Sequence, residues 1–282
     1  MANSFSPLRY PGGKSKIYDR VKNLIELNSL GNRNYIEPFA GGFGIGIRLL
    51  CDNIVQNVLL NDYDSHIYHF WYSVINNTDD LLKKIIDTPI TLDERGKQIS
   101  IYNNNSDDIL GDGFATLFLN RVNYSGIING GPIGGFSQHG IYKIDCRFNK
   151  IEIVNKIKRI AMLKERIFIF NYDAIDLIVN RIGDIKATSF FNIDPPYVIK
   201  GNRLYTNYFK EEDHKNFGEI ITKHINNIPW IITYDDCQLI REIYKLYHIM
   251  EYSIQHNAGG SAKRTELVIT NFQYNNNLKF VW

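Results

Sequence analysis

The chain has 282 residues, a formal net charge of +2 and 44% hydrophobic residues beside 22% charged ones, which excludes an intrinsically disordered chain. No stretch approaches the roughly 18 apolar residues of a membrane helix, and no signal peptide begins the chain, so we expect a cytoplasmic protein without a membrane partner. The three cysteines lie far apart, and the pair His66-x-x-His69 has no third ligand nearby. Neither a disulfide framework nor a metal site is therefore predicted.

The first 62 residues have the pattern that begins an α/β domain. The predicted elements are a helix over 16–27, a strand over 35–37, a glycine-rich loop over 38–44, a helix over 45–51 and a strand over 57–61. The loop fits neither G-x-G-x-x-G nor a phosphate loop, which leaves a cofactor without a phosphate chain, such as S-adenosylmethionine. Asp62, at the end of the second strand, is then either an acceptor for ribose hydroxyls or a plain loop carboxylate.

Residues 63–150 form a second region with mainly helical segments and glycine-rich loops, and we predict an insertion that divides the α/β domain into parts 1–62 and 151–282. Between Arg121 and Arg166 the sequence has nine basic residues against three acids. This excess of positive charge is typical of a solvated helix face, and it also suits a polyanion such as DNA.

After residue 151 the helix and strand alternation resumes. The predicted elements are a helix to about 164, a strand over 167–171, a helix over 174–181, a strand over 189–193, a helix over 214–225, a strand over 230–233, a helix over 236–246 and a final strand over 266–272. The sequence therefore predicts an α/β fold with a large sheet.

The strand over 189–193 ends abruptly in Asp194-Pro195-Pro196-Tyr197. Proline removes a backbone donor and stiffens the turn, so these residues are held in a defined place. An adenine amine is a poor nucleophile that needs hydrogen-bond acceptors on its two hydrogens. The Asp194 carboxylate and the Pro195 carbonyl can serve as these acceptors, Pro196 restricts that carbonyl, and Tyr197 offers a face on which an extruded base can stack.

Together with other segments, this motif resembles the Dam-type (D12 class) adenine-specific DNA methyltransferases. The matching segments are Tyr10-Pro11-Gly12-Gly13-Lys14, Glu37-Pro38-Phe39-Ala40-Gly41-Gly42, Leu119-Asn120-Arg121-Val122-Asn123-Tyr124-Ser125-Gly126, Asp145-Cys146-Arg147-Phe148-Asn149, Asp194-Pro195-Pro196-Tyr197 and Tyr234-Asp235-Asp236. They span nearly the whole chain in the order that is typical of the family. The resemblance implies a Rossmann-like methyltransferase sheet, mostly parallel with a reversed last strand, and a helical DNA-recognition insertion over 63–150.

The resemblance also implies roles for residues of this chain. S-adenosylmethionine, with S-adenosylhomocysteine as product, is expected to contact Tyr10, Lys14, Glu37, Phe39, Gly41, Asp62 and Asp194. Duplex DNA is expected to contact Lys143, Arg147 and Asn129, while Asn120, Arg121, Asn123 and Tyr124 contact DNA or support the recognition loop. The implied reaction is site-specific methylation of adenine by base flipping, and a separate restriction endonuclease is a possible partner.

The residue near position 129 bears on the recognition sequence. Family members that methylate GATC have an arginine shortly after the segment that matches Asn123–Gly126, whereas this chain has Asn129. Arginine suits guanine and asparagine suits adenine, so we expect a site other than GATC unless Asn129 only shapes a turn. Two alternatives to a DNA methyltransferase are a DNA-binding regulator without turnover and a methyltransferase for RNA or protein glutamine. The intact motif with Asp194 disfavours both.

Overall fold

The computed structural model describes residues 5–9, 17–104, 107–199, 209–255 and 263–272. The helices of these residues are α1 (Tyr18–Leu27), α2 (Gly44–Cys51), α3 (Ser65–Asn76), α4 (Thr78–Asp87), α5 (Leu92–Asn103), α6 (Ile109–Val122), α7 (Lys150–Ala161), α8 (Ala174–Asp176), α9 (Glu211–Ile225) and α10 (Gln238–Ile243). The strands are β1 (Asn34–Glu37), β2 (Asn57–Asn61), β3 (Ile167–Phe170), β4 (Ser189–Ile193), β5 (Trp230–Asp235), β6 (His248–Gln255) and β7 (Lys263–Thr270). No helix among the described residues is both long and apolar enough to cross a membrane.

The strands form one seven-stranded sheet with the order β3-β2-β1-β4-β5-β7-β6. Strands β2, β1, β4 and β5 pair in parallel, and β7 is antiparallel to both of its neighbours. The predicted α/β fold, a mostly parallel sheet with a reversed last strand, is confirmed. Because the carboxyl ends of parallel strands meet at one edge of a sheet, residues that follow β1, β4 and β5 are neighbours.

The central strand β4 shows why the sheet could be predicted. All five of its residues are buried, as is typical of a parallel strand that is covered on both faces. The predicted bounds of β2 and β4 agree with the structure, whereas β6 was not predicted. The predicted helix over 174–181 begins as an α-helical turn and continues as a π-helical turn over Leu177–Arg181. The predicted helix over 236–246 is limited to α10.

The chain divides into two compact units. The first unit comprises Met1–Tyr18, Gly41–Asn53 and Asp62–Asn171, and the second comprises Asp19–Ala40, Ile54–Asn61 and Tyr172–Trp282. The second unit contains every strand except β3, and its interior is rich in aromatic side chains such as Trp230, Tyr234 and Tyr244.

In the first unit, helix α6 packs closely on α3. A Cβ atom at Gly113 would lie 2.5 Å from the backbone oxygen of His69, so only glycine permits this approach. The buried carboxylate of Asp112 contacts Nδ1 of His66 and Nδ1 of His69, each at 2.7 Å. The two histidines that share one helix face thus join α3 to α6. Among the residues that the structure describes, no group of three or more His, Cys, Asp or Glu side chains is arranged to bind a metal ion.

Candidate active site

In the second unit, Asp194 directly follows the central strand β4. The register pairs Ile193 with Ile232, which places Asp194 opposite Thr233 of β5. The hydroxyl of the buried Thr233 donates a hydrogen bond of 2.6 Å to Oδ1 of Asp194. Pro195 and Pro196 are buried and have no N–H that would need a partner there. The carboxylate is therefore held in one orientation at the carboxyl edge of the sheet.

Tyr197 and the two residues after it are anchored on the same side of the sheet. The Tyr197 hydroxyl donates to Oε2 of Glu266 on β7, at 3.0 Å. The Asp235 carboxylate, at the end of β5, accepts hydrogen bonds from the backbone N–H groups of Val198 and Ile199, at 3.1 and 2.7 Å. Both acids are buried, so their hydrogen bonds offset the cost of removing charge from water. The turn after β4 is thus fixed from both β5 and β7.

Glu37 lies at the end of β1, beside β4 in the same unit. Its Oε1 accepts a hydrogen bond of 2.6 Å from the Tyr35 hydroxyl, which in turn accepts one of 2.5 Å from the Asn192 amide. Burial, together with the Glu37 carboxylate, raises the pKa of Tyr35 well above its ordinary value, so its hydroxyl stays a donor. Phe39 makes an edge-to-face contact with Phe217, with ring centroids 5.6 Å apart. Glu37 is therefore a buried acceptor in a defined position.

In the first unit, Asp62 and Trp71 fix the glycine turn from two sides. The Gly41 N–H donates to Oδ2 of Asp62 at 2.7 Å, and the Gly41 oxygen accepts a hydrogen bond of 3.0 Å from the Trp71 indole. Gly41 has φ 47°, a conformation that favours glycine, and Phe43 packs edge-on against Trp71. The peptide of Gly41 is consequently held in place on its donor side and on its acceptor side.

The Asp62 carboxylate has an unusual protonation equilibrium. Desolvation by burial raises its pKa to about 7, although hydrogen bonds from the backbone N–H groups of Asp64 and Gly41 lower it. The side chain is only half-buried, and each carboxylate oxygen has more than one lone pair. Asp62 can therefore accept further hydrogen bonds from hydroxyl groups, and its capacity as an acceptor changes near neutral pH.

Two predicted cofactor residues, Tyr10 and Lys14, lie outside the described residues. Those that the structure describes fall into two groups: Gly41 and Asp62 contact each other in the first unit, while Glu37, Phe39 and Asp194 belong to the second unit.

The family of the chain follows from its similarity to known protein families. The sequence matches the model for the D12 class N6 adenine-specific DNA methyltransferases over residues 10–257, which is most of its length. The chain belongs to this family. It is thus an adenine-specific DNA methyltransferase that acts on DNA, and the resemblance inferred from its motifs is confirmed.

The chain is also similar to a curated protein and to solved structures. The Type II methyltransferase M.MjaIII of Methanocaldococcus jannaschii is 26% identical over 218 residues, which cover 72% of this chain and 73% of that protein. The methyltransferase domain of bacterial CtHen1-CN is 8% identical with a TM-score of 0.40, and the alignment covers 90% of this chain and 98% of that chain. TrmK of M. capricolum, solved in complex with S-adenosyl-homocysteine, is 9% identical with a TM-score of 0.38. The alignment covers 90% of this chain and 71% of that chain.

The segment over 119–126, which resembles a motif of the family, contains side chains that brace the first unit. Asn120 is buried and forms a reciprocal pair with the backbone of Arg9, since its Oδ1 accepts from the Arg9 N–H at 2.7 Å and its amide donates to the Arg9 oxygen at 2.9 Å. Its amide also donates to the Gly126 oxygen at 2.9 Å. Arg121 donates to the Pro7 oxygen at 2.6 Å, and burial lowers its pKa to about 10. These bonds join the end of α6 and the loop after it to the segment before Tyr10.

Asn123 closes the loop itself. It is fully buried, its amide donates to the Ile128 oxygen at 2.6 Å, and its Oδ1 accepts a hydrogen bond of 2.7 Å from Arg95. Arg95 also donates to the Gly130 oxygen at 2.8 Å. Of the two roles considered for Asn120, Arg121 and Asn123, the structure supports loop bracing, while direct DNA contact by them stays a prediction.

The remaining predicted DNA contacts are on the surface of the first unit. Tyr124 is 70% exposed, and Asn129, Lys143 and Arg147 are also exposed. By contrast, some of the basic residues further along the chain have partners inside the unit. Lys150 donates to the Ile86 and Thr88 oxygens at the end of α4, and Lys156 pairs with Glu152 at 2.6 Å. Part of the positive charge between Arg121 and Arg166 is therefore used within the fold.

Several residues at these sites were not predicted. Thr233 and Glu266 belong to predicted strands, and an acid at the start of an otherwise apolar strand was the signal that could have identified Glu266. Trp71 and Arg95 lie in helices whose sequence contains no comparable signal, because their partners are 30 and 28 residues away. The roles of these residues depend on contacts that only the folded chain creates.

Proposed function

We propose that this methyltransferase transfers a methyl group from S-adenosylmethionine to the exocyclic amine of one adenine within a short site in duplex DNA. The observation that supports the proposal most strongly is the carboxylate of Asp194, which Thr233 holds at the end of the central strand. Two prolines and an anchored aromatic ring follow directly. This set of groups fits a planar amine that must be oriented and polarised.

The chemistry of adenine explains why such groups are needed. The lone pair of the amine is delocalised into the ring, so the nitrogen becomes nucleophilic only when its two hydrogens are directed toward acceptors. Asp194 and the Pro195 carbonyl serve as these acceptors and stabilise the positive charge that grows on the nitrogen. In this role Asp194 orients and polarises the amine as a hydrogen-bond acceptor.

Bound S-adenosylmethionine supplies an electrophilic methyl group on a sulfonium. Carboxylates and aromatic rings suit its hydroxyl and cationic groups. We assign contacts with the ribose hydroxyls to Asp62, because its carboxylate has acceptor capacity beside the fixed Gly41 turn. Tyr10, Lys14, Glu37, Phe39 and Asp194 are proposed as further contacts from the family resemblance.

Duplex DNA hides the adenine amine in the base stack, so we infer that the enzyme flips the target base. Tyr197 then offers the flat surface on which the base stacks. We assign DNA contacts to the exposed Tyr124, Lys143 and Arg147, and base reading to Asn129 and its neighbours, within a recognition insertion over 63–150. The name of the M. jannaschii relative supports a role in restriction and modification, with a separate endonuclease as partner.

The test is transfer of tritiated methyl groups from S-adenosylmethionine to plasmid DNA in the presence of EDTA, followed by mapping of methylated adenines by single-molecule sequencing. We expect metal-independent transfer confined to one short site that is not GATC, since an asparagine at position 129 suits adenine better than guanine, by about 1–3 kcal/mol per contact. Methylation of RNA or protein alone would contradict the proposed substrate. Methylation confined to GATC would contradict only the role of Asn129.

A further inference from the structure

Glu266 has an unusual place for a carboxylate. It lies on β7, and the register pairs it with Asp235 of β5 on one side and with Tyr252 of β6 on the other. Residues directly opposite on neighbouring strands point to the same face of a sheet, so the three side chains form a row. Glu266 is only 3% exposed, so its hydrogen bonds are needed to offset the cost of removing a carboxyl group from water.

The hydrogen bonds of Glu266 connect it to Tyr197. Its Oε2 accepts from the Tyr197 hydroxyl at 3.0 Å and from the Tyr252 hydroxyl at 2.7 Å. Asp235, the neighbour of Glu266 in the row, accepts from the N–H groups of Val198 and Ile199. The ring of Tyr197 is thus held at its hydroxyl by β7, and the backbone after it is held by β5.

We propose that Glu266 is a positioning residue for Tyr197, an inference that rests on the proposed function. A phenylalanine could stack on a base equally well, but its ring would have no fixed point at the para position. The hydrogen bond to Glu266 restricts the tilt of the ring and so sets the plane in which the flipped adenine lies. In this role Glu266 acts through Tyr197 and does not itself take part in the reaction.

The orientation of the base matters because methyl transfer needs the amine aligned with the methyl group. A misplacement of about 1 Å by a residue that is distant from the chemistry can lower a rate about a hundredfold. Loss of the Tyr197 hydroxyl allows the ring to tilt but does not remove the ring. We therefore expect a reduced rate of methyl transfer with little change in the affinity for DNA or cofactor.

The experiment compares Tyr197→Phe, Glu266→Leu and the double variant with the wild type under single-turnover conditions, because leucine has no oxygen that could accept the Tyr197 hydroxyl. We expect each single variant to transfer methyl groups about 10- to 100-fold more slowly. The double variant should be no slower than the slower single variant, because both changes remove the same contact. The dissociation constants for S-adenosylhomocysteine and for DNA should stay within about twofold of the wild type, since no binding contact is removed.

A matched control is Tyr244→Phe. Tyr244 is a buried tyrosine of the same unit, and within the described part of the chain its hydroxyl has no hydrogen-bond partner. The variant is therefore expected to lose a phenol oxygen without affecting Tyr197. We expect the wild-type rate. As a second readout, 2-aminopurine at the mapped target position should fluoresce more brightly with Tyr197→Phe than with the wild type, because a tilted ring stacks less well on the flipped base.

The possible outcomes separate this inference from the proposed function. An active wild type together with a wild-type rate for Tyr197→Phe or Glu266→Leu contradicts the positioning role alone, even if the melting temperature falls. Multiplicative losses in the double variant contradict it as well. A wild-type protein that transfers no methyl group to DNA contradicts the proposed function instead.

Discussion

The turn after β4 and the loop that Asn123 closes are both held by buried polar side chains, but with opposite chemistry. At the turn, the side chains of Asp194 in the turn itself, Asp235 on β5 and Glu266 on β7 accept hydrogen bonds. In the loop, Asn123 and Arg95 donate hydrogen bonds to backbone oxygens. The turn is therefore held by hydrogen-bond acceptors, whereas the loop is braced by donors.

This difference indicates how each region is used. An acidic turn suits a substrate that presents N–H donors and gains positive charge. A loop whose polar motif residues are directed inward presents other residues to the solvent, among them Tyr124 and Asn129. The buried residues of the motif therefore stabilise the shape of the loop, and its exposed neighbours are the ones that we propose to contact DNA.

The largest expected effect is that of Asp194→Ala. Loss of one preorganised hydrogen-bonding group at a reacting centre typically lowers turnover about 100- to 1000-fold, and we expect this loss with little change in DNA affinity. Turnover is measured by methyl incorporation and affinity by a gel-shift titration. Asp184→Ala, at an exposed position of the same unit, should behave as the wild type. More than half of the wild-type turnover in Asp194→Ala would remove this residue from the catalytic role.

The next largest effect concerns the loop. Asn123→Ala removes a buried amide and leaves Arg95 without one acceptor, so we expect the free energy of unfolding to fall by about 2–3 kcal/mol. Asn129→Ala removes an exposed side chain of the same type and should change stability by less than about 0.5 kcal/mol. Urea titrations measure both. Equal stability of the two variants would contradict the conclusion that Asn123 braces the loop while Asn129 only lies on its surface.

The smallest expected effect is a pH dependence from Asp62. Its folded pKa of about 7 lies above the ordinary 3.8. Stability linked to this group is therefore fully present below about pH 4 and is lost as pH rises through about 7. Hydroxyl donors need the ionised acceptor, so the affinity for S-adenosylhomocysteine should rise about tenfold between pH 6 and pH 8. Calorimetric titration checks this, and Asp62→Asn should flatten the profile. An unchanged slope in that variant would assign the dependence to another group.

Local patterns were sufficient to predict most of the sheet. The apolar runs of β2 and β4 and the abrupt stop at Asp194 each depend on neighbouring residues, and their bounds agree with the structure. Strand β6 was missed, although Met250, Tyr252 and Ile254 alternate along it, because charged and polar residues between them weaken the apolar signal. An edge strand has one neighbour only and needs less apolar sequence.

The sequence by itself determined the family, the order of the motifs and the identity of Asp194 and Tyr197 as candidates. Only the tertiary structure decided what holds them. Thr233 faces Asp194 because β5 pairs with β4, and Glu266 meets Tyr197 because the reversed strand β7 lies next to β5. Such contacts join residues 39 and 69 positions apart. The physical reason is that a hydrogen bond depends on distances between atoms in space, and strand pairing sets those distances without leaving a local signal in the chain.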